Sequence, residues 1–110
     1  MKQITLRRLS DEGDVLEWAQ IIKQVIRRPL NPQSGADIAE IHQGIRVLDA
    51  LDRCDSGVLA LEDSDWQHLC DKVRAMQWGV IDRRVAVFVD DVLSAHEVAS
   101  SSTNGLFERV

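Results

Sequence analysis

Hydrophobic and polar residues alternate near the start of the chain and then change to a helical spacing. Ile4 and Leu6 fall on one side of residues 2–9, with polar residues between them, which is typical of a short strand. Ser10 is a candidate N-cap, and acidic residues follow it, where the helix dipole favours negative charge. The pattern predicts a strand and then an amphipathic helix that Pro29 ends. The apolar positions of that helix are Val15, Trp18, Ala19, Ile22, Val25 and Ile26.

A proline-containing loop over residues 29–35 separates this helix from a second one, predicted over about residues 36–51. Ser34 and Asp37 have the spacing of a capping pair at its start. The second helix has apolar residues spaced 3, 4 and 3, a narrow seam suited to packing on another helix. These residues are Ile38, Ile41, Ile45 and Leu48, and Val47 and Leu51 widen the apolar face.

Two further helices are predicted after a short apolar run, Val58 to Leu61, which we interpret as a strand that can pair with the N-terminal one. The third helix begins with Asp63 or Ser64 as its cap and ends near Gly79. The buried positions predicted for the two helices are Trp66, Leu69, Cys70, Val73 and Met76, then Ile81, Val85, Phe88, Val89 and Val92. Residues 85–89 are rich in β-branched side chains, which favour strands, so a strand remains the alternative to the fourth helix in this range.

These elements predict a mainly α fold, a compact four-helix domain over residues 1–95 with a minor two-stranded β-ribbon. Residues 96–110 are polar, rich in serine and without periodicity, which predicts a flexible C-terminal tail. Short connections between the helices favour antiparallel neighbours.

Charge and composition narrow the class of function. The net charge of −5 argues against a general nucleic-acid binder, because binding phosphates requires a basic face. The sequence contains no apolar run long enough for a transmembrane helix and no signal-peptide core, so we expect a cytoplasmic protein without membrane contact. Cys54 and Cys70 are expected as reduced thiols.

Candidate chemistry is sparse. His68 and Cys70 supply too few ligands for a zinc site, and residues two apart lie on different faces of a helix. We therefore interpret Cys70 as a core residue and His68 as a solvated one. The acids at 62, 63 and 65 are explained by helix capping, and Asp90 and Asp91 by a solvated helix face. The sequence shows no nucleophile with a supporting base, and we predict no catalytic residue, metal or cofactor.

Three residues are predicted to bind a partner. Trp18 and Trp66 lie on apolar faces and are interpreted as core, but Trp78 lies at the end of its helix, and tryptophan is enriched in interface hot spots. Leu106 and Phe107 lie at the end of the predicted tail and are candidates for docking on a partner.

The segment GVLALEDSDWQHLCDKVRAMQWGVIDRRVAVFVDDVLSA is similar to small proteins encoded in the structural-gene clusters of tailed bacteriophages and prophages. The likeness covers residues 45–95 and includes Trp66, Trp78 and the valine-rich FVDDVLSA run. It implies a virion or assembly protein in a bacterial host cell, such as a tail-assembly chaperone or a head–tail component, with a phage structural protein or a second copy as partner.

The expected function is therefore non-catalytic protein–protein interaction in phage particle assembly. A small DNA-binding or regulatory protein is the alternative from another class, because three arginine doublets could meet in space. A phage-encoded inhibitor of a host protein is a third hypothesis, which composition does not separate from the first.

Overall fold

The computed structural model describes residues 1–79 and 81–97. In chain order the elements are β1 (Lys2–Thr5), β2 (Arg8–Asp11), β3 (Asp14–Glu17), α1 (Trp18–Arg27), α2 (Ile38–Asp52), β4 (Val58–Leu61), α3 (Asp63–Ala75), α4 (Arg83–Leu93) and β5 (His96–Glu97). His96 and Glu97, the first two residues of the predicted tail, form β5, and residues 98–110, with Leu106 and Phe107, lie outside the described residues.

The predicted mainly α fold with four helices is confirmed, and the strands are more extensive than the predicted ribbon. β1 pairs with β4 in antiparallel register, Ile4 opposite Leu59, as the alternation of residues predicted. β5 adds a third strand on the other side of β1, where Gln3 lies opposite His96. Ile4 and Leu59 are both buried, so the sheet presents one apolar face to the helices.

A β-hairpin occupies the place where the sequence predicted the start of the first helix. β2 and β3 pair from Arg8 and Glu17 to Asp11 and Asp14, which leaves a two-residue turn. Both turn residues have positive φ, 51° at Glu12 and 86° at Gly13, as hairpin turns that match the strand twist require. The predicted N-cap at Ser10 was therefore wrong.

Helix α1 begins directly after the hairpin and faces the centre of the core. Its buried residues are Trp18, Ile21, Ile22, Val25 and Ile26. Val15, predicted on the same helical face, lies in β3 and is exposed. The Trp18 and Phe88 rings meet edge to face with centroids 5.5 Å apart, which joins α1 to α4.

Helix α2 begins at Ile38, with Asp37 rather than Ser34 as its N-cap, because the Asp37 carboxylate accepts a hydrogen bond from the Glu40 N–H at 2.8 Å. Its core side consists of Gly44, Val47 and Leu51. A Cβ at Gly44 would lie 3.3 Å from Cγ2 of Ile26, so α1 and α2 approach closely at this point.

Residues 85–89 form part of a helix, which settles the choice between helix and strand in that run. Asp82 caps α4 by accepting from the Arg84 N–H at 2.8 Å. Arg84 in turn donates to the Asp14 carbonyl at 2.9 Å, which fixes the hairpin to the start of α4. Phe88 and Val92 are buried as predicted, but Ile81 was predicted in the buried stripe and is fully exposed, because it precedes the helix.

Candidate protein-binding surface

Three isoleucines on one side of α2 are exposed to solvent. Their exposed fractions are 67% for Ile38, 44% for Ile41 and 48% for Ile45, and the partly buried Leu48 continues the row. We call these four residues the isoleucine face. The sequence predicted this row, its spacing and its suitability for packing on another helix, and within the described residues three of its four side chains remain exposed. The neighbouring side of α2, with Gly44 and Val47, faces the core instead.

A groove with a volume of about 180 Å³ runs between α1 and the isoleucine face. Ile26 and Arg27 contribute to its α1 wall, and Gly44 and Ile45 to its α2 wall. Leu30 is also exposed, and its N–H donates to the Glu40 carboxylate at 2.8 Å, which places the loop before α2 beside the same helix. Apolar residues therefore continue from α2 toward the loop that precedes it.

A buried lysine holds three helices together beneath this groove. Lys72 of α3 is 4% exposed, and its Nζ lies 2.7 Å from Oε2 of Glu40 on α2. The same Nζ donates to the Ile26 carbonyl at 3.1 Å and to the Arg28 carbonyl, at the C-terminal end of α1. The hydrogen bond from Lys72 lowers the pKa of the Glu40 carboxyl, although partial burial opposes this shift. The isoleucine face thus lies on a helix, α2, that Lys72 links to α1 and α3.

Asp65 forms a second link between α2 and α3. It is buried, and its Oδ1 accepts hydrogen bonds from Nε of Arg46 at 3.0 Å and from the Gln43 amide. The interpretation of the acids at 62, 63 and 65 as helix-capping residues was therefore wrong for Asp65, which binds side chains of α2, and Glu62, at the N-cap of α3, makes no side-chain capping hydrogen bond either. Asp63 lies 3.6 Å from the amino group of Met1.

His68 lies on α3, one turn from Lys72, and is partly buried, so its interpretation as a solvated residue was wrong. Its Nε2 is buried and has no hydrogen-bond partner in the part of the chain that the structure describes. Burial lowers the pKa of His68, and the positive charge of Lys72 lowers it further. The neutral imidazole is therefore the form that suits this position.

Only one of the two acids at 90 and 91 lies on a wet face as predicted. Asp90 is exposed, but Asp91 accepts from Nε1 of Trp18 at 2.9 Å and pairs with Nε of Arg7, also at 2.9 Å. The carboxylate satisfies the polar end of the buried indole, which an apolar core alone would leave unpaired.

Three of the six arginines in the doublets that could have formed a phosphate-binding patch pair with acids. Arg7 binds Asp91, Arg8 lies 3.4 Å from Glu17, and Arg84 binds both Asp14 and Asp82. The hydrogen bond with Arg84 lowers the pKa of Asp82, and the acids raise the pKa of Arg84 in return. These three guanidinium groups bind carboxylates of the chain itself.

Trp78 is partly buried, and its ring meets Phe88 edge to face with centroids 6.2 Å apart. Its predicted role in partner binding stays a prediction, as do the roles of Leu106 and Phe107 beyond the described residues. Trp66, which was interpreted as core, is partly buried and packs against the core; its Nε1 donates to the Val92 carbonyl at 2.8 Å, and Lys2 lies over its ring.

The two thiols are free, and Cys70 is buried as predicted. Desolvation raises the pKa of Cys70, which keeps it as the thiol. Across residues 1–79 and 81–97 no three His, Cys, Asp or Glu side chains are grouped to hold a metal ion. None of the helices in that range is long and apolar enough to cross a membrane.

No protein-family model matches this chain, and no curated protein or solved structure does so either. The function must therefore be inferred from the surface itself. The spacing of 3, 4 and 3 was the sequence signal that located this surface. The sequence did not reveal four residues that make structural contacts, because each one has its partner in a distant part of the chain. These residues are Gln43, Asp65, Lys72 and Asp91.

Proposed function

We propose that the protein is a non-catalytic interaction protein that docks on another protein surface through the isoleucine face of α2. The observation that supports this is the exposure of Ile38, Ile41 and Ile45 in one row on a helix. Exposed apolar residues that stand singly are ordinary, whereas a contiguous row marks a surface suited to a partner. Burying such residues on association is favourable for the same reason that burial in a core is.

The platform beneath the face supports the same proposal. Lys72 with Glu40, and Asp65 with Arg46, tie α2 to α3, and the first of these pairs lies at the groove beside the isoleucine face. A surface that is already ordered loses less conformational entropy on binding than a flexible one. Docking on this face therefore requires no rearrangement of the described residues.

The biological setting that we propose is the assembly of a bacteriophage particle, with a phage structural protein as the partner. The support is the resemblance of residues 45–95 to small phage proteins, a range that includes Ile45 and Leu48 of the face. The rival hypothesis of DNA binding receives less support, because Arg7, Arg8 and Arg84 are engaged with acids. An inhibitor of a host protein would use the same face and differs only in the identity of its partner.

The test is affinity capture of the tagged protein from phage-producing cells, with identification of bound proteins by mass spectrometry. Ile41→Asp and Ile45→Asp are the test variants, and Ile81→Asp is the matched control because Ile81 is fully exposed outside this face. We expect a phage head or tail protein to be enriched by the wild type and by Ile81→Asp, and lost with both test variants.

Two results would count against the proposal. Capture of phage structural proteins that is equal for all four proteins would move the binding surface away from α2. Recovery of no phage structural protein by the wild type would reject the setting in particle assembly.

A further inference from the structure

The isoleucine face has the same spacing in both directions along the helix. From Ile38 to Leu48 the intervals are 3, 4 and 3, so the row is symmetric about position 43. A second α2 that runs antiparallel, related by a two-fold axis near Gln43, would therefore match this row in register. Ile41 would then contact Ile45 of the second copy, and Ile38 would contact Leu48. Self-complementarity under a two-fold axis is the defining property of an isologous interface.

We propose that, in the free protein, a second copy of this chain covers the isoleucine face, packed antiparallel through α2, before a partner protein binds there. This inference rests on the proposed function, since it names the occupant of the same face. Apolar residues at alternating intervals of 3 and 4 are the pattern by which two helices interlock side chains along a common seam.

Charge favours this face over the rest of the surface for self-association. The chain carries a net charge of −5, so two copies repel each other wherever their acids meet. The four residues of the isoleucine face carry no charge, so bringing two of these faces together adds no like-charge contact within the row itself. Added salt screens the general repulsion without weakening apolar contacts, so the dimer gains stability as ionic strength rises. A basic partner protein would show the opposite dependence on salt.

The size of the seam sets the strength of the dimer. Ile38 and Leu48 are ten positions apart, which corresponds to about 15 Å of helix at about 1.5 Å per residue. A stable interface usually buries about 800 Å² on each partner, and one helical seam with Leu30 at its edge is smaller than that. The dimer is therefore weak and reversible, with dissociation in the micromolar range or above.

Sedimentation equilibrium of the full chain tests this inference, from low micromolar to near-millimolar protein, at low and high salt. The wild type is expected to show a monomer–dimer equilibrium that shifts toward dimer at high salt. Ile41→Asp places a charge in the seam, and we expect it to lower the association constant at least about tenfold. Ile81→Asp adds the same charge outside the face and is expected to leave the constant close to that of the wild type.

A pair of variants tests the antiparallel register. In this arrangement position 41 of one copy faces position 45 of the other, so Ile41→Asp mixed with Ile45→Lys would bring opposite charges together at one contact and two isoleucines at the second. We expect the mixture to associate more strongly than either variant alone. Circular dichroism checks that each variant remains folded, which both exposed positions should permit.

Three outcomes would overturn the inference. A wild type that stays monomeric at all concentrations excludes the second copy as partner, while capture of a phage protein through the same isoleucines would still uphold the proposed function. A dimer that Ile41→Asp leaves unchanged uses another surface. A mixture that associates no better than its components excludes the antiparallel register.

Discussion

Helices α1 and α2 are both rich in isoleucine, but α1 buries its isoleucines and α2 exposes three. α1 lies against α2, α3 and α4, so its apolar stripe from Trp18 to Ile26 is covered. α2 is longer, yet its neighbours cover only the side with Gly44, Val47 and Leu51. An apolar stripe in a helix therefore shows that some surface must cover it, and the neighbouring elements decide whether that surface belongs to the same chain.

The largest expected effect comes from comparing Ile22→Ala in α1 with Ile41→Ala in α2. Ile22 is completely buried, and its truncation should lower the free energy of unfolding by about 2–5 kcal/mol through lost burial and a cavity. Ile41 is already half in water, so its truncation should cost no more than about 1 kcal/mol in the monomer. Urea unfolding at low protein concentration, followed by tryptophan fluorescence, measures both values. Equal losses would contradict the contrast between the two helices.

Lys72→Met tests whether the contact that joins α1 to α2 is required. The substitution keeps an apolar chain but leaves Glu40 and the last carbonyls of α1 without their partner, so the expected loss is about 3 kcal/mol. Lys23→Met on α1 is the matched control and should change stability by no more than about 0.5 kcal/mol. Adding Glu40→Gln to Lys72→Met should recover part of the loss, because the unpaired carboxylate is removed. A Lys72→Met protein as stable as the control would show that the buried pair is dispensable.

Acidification should weaken the α2–α3 contact through His68. Its pKa is lowered from the ordinary 6.5, so the unfolded chain binds this proton more readily than the folded one does. The free energy of unfolding should therefore fall as the pH drops below 6.5, until the folded protein is protonated as well. His68→Gln should flatten this part of the profile, which chemical denaturation at a series of pH values would show. The lowered pKa of Glu40 adds a separate loss below its usual 4.5, which His68→Gln leaves in place.

The smallest expected effect is that of Ile81→Asp. Ile81 is fully exposed just before α4, so replacing it should change the free energy of unfolding by no more than about 0.5 kcal/mol. Thermal and urea unfolding are sufficient to measure this. A larger loss would show that Ile81 has a structural contact and would remove it as the control for α2.

The elements that could be predicted from the sequence are those with local signals. The alternation at the start of residues 2–9 and the short run at 58–61 predicted two strands that can pair, and they do so as β1 and β4, although β1 ends at Thr5 and residues 8 and 9 belong to β2. Pro29 marked the end of α1 to within two residues, and the helical spacing at Val85, Phe88 and Val92 outweighed their β-branched surroundings.

The hairpin was missed because its turn resembles the first turn of a helix. Asp11, Glu12 and Asp14 fit the negative charge that a helix start favours, but Gly13 does not favour helix. Glycine adopts positive φ without strain, as the second residue of a two-residue hairpin turn requires, and the positive φ at both turn positions shows that the hairpin prevails here.

The sequence predicted the candidate surface only as an apolar stripe along a helix, and not as an exposed surface. Periodicity shows that Ile38, Ile41 and Ile45 share a side of a helix, but it contains no information about which side the other elements cover. The buried roles of Lys72 and Asp65 were also out of reach. Their partners lie 19 to 46 residues away along the chain, and a charged side chain is ordinarily expected in water.

The central position of β1 affects how the protein folds during its synthesis. Lys2 of β1 pairs with Leu61 of β4 on one side and with Glu97 of β5 on the other. β1 is therefore synthesised before both of the strands with which it pairs. The hairpin and α1 can form from local contacts as they emerge, but the sheet has to wait for β4 and β5. We therefore expect nascent chains stalled before residue 58 to lack the protected core, and a translational pause there would prolong the exposure of Ile4 and Trp18 to chaperones.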